Sequence, residues 1–127
     1  MFAQPTNPAW TTAMPGTQHV LRSLRLTDLA DLHRISDKAP ACRALSDLVA
    51  NQAREADATS AELRRLLVRA HIYTARLAEG GRLTPSADGT AFGALGQQID
   101  HATARLDRQL LHLDRLMDAL VRTAHTR

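Results

Sequence analysis

At 127 residues, 44% of them hydrophobic, the chain is one domain's worth of sequence and can bury a continuous core. Its net charge of +3 is spread evenly: residues 1–40, 41–79 and 80–127 each carry a surplus of +1, so no basic tail or block marks a nucleic-acid footprint. Cys42 is the only cysteine, and no apolar run nears the ~20 residues of a membrane span, which excludes an internal disulfide framework and a transmembrane helix.

The aromatics are Phe2, Trp10, Tyr73 and Phe92, and runs of β-branched residues are nearly absent. The core therefore falls to Leu, Ala, Val, Ile and Met, which favours an all-α fold. The cations are fifteen Arg and Lys38, and with the abundant Ala they suggest a GC-rich bacterial source. A lone cysteine and the lack of a Sec-type leader fit the cytoplasm.

Residues 1–16 hold three prolines and end on Gly16, a pattern expected of a flexible N-terminal arm, with Trp10 as its candidate anchor on this or another subunit. Residues 17–127 form the single helical-bundle domain. Within it, 17–38 reads as one interrupted or two short helices, with apolar patches at Val20, Leu21 and Leu24 and at Leu29, Leu32 and Ile35. Thr27 is the expected N-cap between them, and Pro40 bars the helix from continuing.

Residues 41–79 are expected to form the first long helix. Leu45, Val49, Gln52, Ala56, Thr59, Leu63, Leu66, Ala70, Tyr73 and Leu77 recur at steps of three and four, which puts them on one face. Gly80-Gly81 supplies a left-handed stop. A loop follows over 80–90, rich in Gly, Pro, Ser and Asp.

Residues 91–125 carry the strongest periodicity. Phe92, Ile99, Leu106, Leu113 and Leu120 repeat every seven residues, Leu95, Ala102, Gln109 and Leu116 fill the second seam position, and Gly96, Leu110 and Met117 widen the stripe. A short connection makes the two long helices antiparallel. Folding about residue 85 sets Leu77 near Phe92, Leu66 near Leu106, and Ala56 near Leu116 and Met117. The expected architecture is a long antiparallel helical hairpin plus one or two short N-terminal helices, its bundle completed by dimerisation. A hairpin covers only one side of each stripe, so Leu106, Leu110, Leu113, Leu116, Met117 and Leu120 are the candidate oligomer or partner interface.

The chemistry is sparse. His19, His33, His71, His101, His112 and His125 contain no pair three or four residues apart, and no acidic residue stands three or four before any of them, so no metal site is indicated. Phosphate-binding loops and nucleophile elbows are absent, and Cys42 reads as a small buried hydrophobe, so neither a cofactor nor enzymatic activity is expected. Charges run in stripes instead: Asp100, Asp107 and Asp114 every seven residues, and Glu55 and Glu62 giving way to Arg69 and Arg76 along one line of the first long helix. Stripes beside an apolar seam select partner and direction.

The outline resembles the small helical-hairpin proteins exported by type VII secretion, whose turn carries Trp-x-Gly and whose second helix precedes Tyr-x-x-x-Asp/Glu. Here the turn reads Leu83-Thr84-Pro85-Ser86, and Tyr73 is followed by Leu77 on the first helix, so the signatures do not place the chain in that family.

The leading expectation is a non-enzymatic helical interaction module, an adaptor, regulator or assembly factor, self-associating as a homodimer or binding another protein. One alternative is a nucleic-acid-binding regulator using Arg64, Arg65, Arg69 and Arg76. Another is a ligand-sensing bundle with a cavity near Gln52, Thr59 and Gln109.

Overall fold

The computed structural model describes residues 14–32, 34, 40–80 and 87–125, with side chains in the last helix from Phe92 onward. Among these residues the fold is all-helical. Helix α1 spans Pro15–Leu24, a 3-10 turn follows at Leu29–Asp31, and α2 (Pro40–Ala78) and α3 (Ala87–His125), each 39 residues, form the antiparallel hairpin. At ~1.5 Å per residue each long helix runs roughly 58 Å. None of the described helices is long and apolar enough to cross a membrane.

The expected boundaries of α2 hold within a residue. Pro40 opens it, and Gly80 ends it with φ 78°, its amide donating to the Leu77 carbonyl at 3.1 Å. Helix α3 starts at Ala87, four residues before the expected 91. Relative to a fold centred on residue 85, the cross-helix pairing slides by about five residues. Phe92 accordingly meets Tyr73 edge-to-face, ring centroids 5.9 Å apart. Ala56 shares a cluster with Leu106, whereas Met117 packs in the cluster of Val49 and Ala53. Leu66 and Leu106 share the cluster toward the turn end.

The core has two parts. At the base of the hairpin, Val20 of α1 and Leu32 join Cys42, Val49, Ala53, Leu113, Met117 and Leu120. Toward the turn end, Ala56, Leu63, Leu66, Leu95, Ala102 and Leu106 pack with only α2 and α3 contributing. Among the described residues the chain is thus a three-helix bundle at its base and a two-helix hairpin toward its turn end.

The docking of α1 explains the division. It begins at Pro15, inside the segment read as an arm, and residues 1–13, Trp10 among them, lie outside the described residues. Its N-cap, Met14, has φ 59° and offers no side-chain bond. Asp57 of α2 supplies the cap instead: Oδ1 accepts from the Gly16 amide at 2.7 Å and the Thr17 amide at 3.3 Å, and Oδ2 from the Thr17 hydroxyl at 2.5 Å. On the other side His19 Nε2 meets Asp114 Oδ1 at 2.5 Å. Helix α1 closes on Arg25, in the left-handed region at φ 55°.

Thr27 is not the N-cap of the next element; Asp28 is, its carboxylate accepting from the Ala30 amide at 3.2 Å. Thr27 donates its hydroxyl to Asp31 at 2.9 Å. That bond, with backbone amides of Asp28 and Thr27 also donating, holds the Asp31 carboxyl below its ordinary range.

Candidate interaction surface

The six residues proposed from sequence as an interface sit inside this chain. Leu106, Leu113, Met117 and Leu120 are buried, and Leu110 and Leu116 are half-buried against the base cluster. Part of the cover expected from a second molecule comes from α1, whose Val20 is fully buried among Leu113, Met117 and Leu120.

Solvent-facing apolar side chains lie elsewhere. Along α2, Val68 is 59% exposed and Ile72 45%. With Ala58, Ala61, Arg65 and Ala75 they recur at steps of three and four, so the turn end of α2 carries a second apolar line on the side turned away from α3. Every residue of that line is exposed or half-buried, in contrast to Thr59, Ser60, Leu63 and Leu66 between them, which are buried. A shallow depression of about 550 Å³ lies on this line, lined by Ala61, Arg64, Arg65, Val68 and Arg69. The Arg stems wall it, since such side chains lay their methylenes along apolar surface and keep the charge in water.

The four arginines Arg64, Arg65, Arg69 and Arg76 are all exposed. Helical geometry sets Arg69 and Arg76 on one side of the second line, Arg65 within it, and Arg64 on the other side. Glu62, near the first group, bridges to Arg105 of α3 at 3.2 Å with both side chains about half exposed, an arrangement worth at most about 1 kcal/mol.

Of the polar residues in the α2–α3 seam, Gln52 Nε2 donates to the Gln109 backbone carbonyl at 3.4 Å, Thr59 is buried, and the Gln109 side-chain oxygen is buried without a hydrogen-bond partner. Two further depressions, one lined by Asp28, Leu32 and Arg54 among others and one by Leu24, Leu120 and His125 among others, do not include Gln52, Thr59 or Gln109. Among the described residues no three His, Cys, Asp or Glu side chains converge as a metal site would require.

Ser60 lies fully buried, and its hydroxyl has no hydrogen-bond partner. A buried hydroxyl without a partner costs free energy that an apolar group of similar shape does not. Ser60→Ala is therefore expected to stabilise the chain by about 1 kcal/mol, read as a higher urea midpoint at unchanged slope.

No protein-family model, curated protein or solved structure matches this chain.

Proposed function

We propose that the protein is a non-enzymatic helical interaction module that self-associates through the turn end of its hairpin. The observation that carries this reading is the uneven cover: α1 completes the bundle at the base, while Val68 and Ile72 stand in water along a line of helical spacing on α2. An apolar line of this length on a surface otherwise rich in Arg, Asp and Glu is characteristic of an association face. Sedimentation velocity over a range of concentrations tests the reading. A dimer that persists in high salt is expected, because apolar burial would hold it. A chain that stays monomeric at the highest concentration at which it is soluble sinks it.

The exposure of Arg64, Arg65, Arg69 and Arg76 along one stretch of α2 supports a second reading, contact with nucleic-acid phosphates. It predicts binding to duplex DNA or RNA that weakens steeply with salt and is lost in an Arg65→Ala/Arg69→Ala variant. No shift at low salt removes it.

A further inference from the structure

We infer that the second copy binds antiparallel, back of α2 to back of α2, with the twofold axis close to residues 66 and 67. The inference rests on the self-association proposed above and specifies its geometry. Two features of α2, one apolar and one charged, select this arrangement independently.

The apolar line consists of Ala58, Ala61, Arg65, Val68, Ile72 and Ala75, alternately three and four apart, which is the seam spacing of a coiled coil. Two such lines laid antiparallel about a point between residues 66 and 67 pair Ala58 with Ala75, Ala61 with Ile72 and Arg65 with Val68 of the second copy. Ile72, the largest apolar side chain of the line, then faces Ala61, as interlocking layers require. The depression lined by Ala61, Arg64, Arg65, Val68 and Arg69 contains the four positions, 61, 64, 65 and 68, that form a hole for a facing knob, and Ile72 of the second copy is the knob this register brings to it.

The flanking charges are self-complementary in the same sense. Glu55 and Glu62 precede Arg69 and Arg76 along one edge of the seam. Antiparallel pairing sets Glu62 against Arg69 and Glu55 against Arg76 of the second copy, centred between residues 65 and 66, within a residue of the apolar centre. A parallel arrangement would set this edge against the partner's other edge, bringing Arg69 beside Arg64 and Glu62 beside Asp57, and repel. Among the described residues α1 leaves this seam uncovered: it starts at Asp57 and runs toward the base, while the seam begins at Ala58 and runs toward the turn.

The test uses the full chain in sedimentation equilibrium. Val68→Asp, at an exposed position, is expected to leave the helical content unchanged and weaken the dimer at least a hundredfold. Two charge variants give the decisive arm. Glu55→Arg/Glu62→Arg and Arg69→Glu/Arg76→Glu are each expected to self-associate at least tenfold more weakly than the native chain. Mixed in equal amounts they are expected to form a heterodimer, because every facing pair is then opposite in sign. A native dimer unaffected by Val68→Asp, or charge variants that do not pair on mixing, overturns this geometry and leaves self-association standing. A monomeric native chain overturns both.

Discussion

Gly16→Ala is expected to destabilise the chain by about 3 kcal/mol, although alanine is the better helix former by about 1 kcal/mol. A Cβ at residue 16 would lie 2.3 Å from the Ala53 carbonyl oxygen and 2.9 Å from the Ala56 Cβ. The closer of these atoms is backbone of a long, well-packed helix and cannot swing aside. Helix α1 has to back away, and doing so stretches the bonds by which Asp57 holds the Gly16 and Thr17 amides. Propensity and packing thus predict opposite signs, which makes the experiment decisive. Urea unfolding should show the loss, and hydrogen exchange should show it concentrated in residues 16–24. A stabilised variant would mean that α1 does not approach α2 so closely.

Leu113→Ala is expected to cost roughly 3–5 kcal/mol, a large fraction of the ~5–15 kcal/mol that holds a domain of this kind together. Leu113 is fully buried in the one cluster to which all three helices contribute. Truncation there leaves a cavity bounded by α1, α2 and α3, and the three helices cannot all relax into it at once. The melting temperature should fall by ~10 °C or more. Leu111, two residues away and 52% exposed, provides the control: Leu111→Ala should change stability by no more than ~0.5 kcal/mol. Equal effects at the two positions would contradict the orientation of α3.

The hairpin is legible in the sequence because its signals are local. Steps of three and four from Leu45 to Tyr73, Pro40 at one end and Gly80 at the other define α2 within a residue. The start of α3 is less so, since residues 87–90 read as turn chemistry yet lie in the helix, a shift of four residues that goes with the re-registered cross-helix pairing. The mode of α1 docking is not written locally at all. Gly16 looks like the end of a proline-rich leader, and Asp57 like any solvated carboxylate, until the fold brings residues 40 positions apart into contact.

The surface was half legible for a related reason. Periodicity reveals how much apolar edge a helix carries, but not which part its own chain covers. The leucines of α3 produce the strongest pattern and are used internally. The weaker line through Ala58, Val68 and Ile72 is broken by Arg65 and small residues, so it hides behind the stronger seam on the same helix and emerges only once exposure is known.

The origin of the cap on α1 also fixes an order of events. Ten residues are too few to hold a helix alone in water, and this one carries no carboxylate in its own first turn. The acceptor that closes that turn exists only after α2 has been synthesised and coiled. Helix α1, made before the helix that caps it, therefore settles only afterwards, waiting on a residue 41 positions later than the amide it secures.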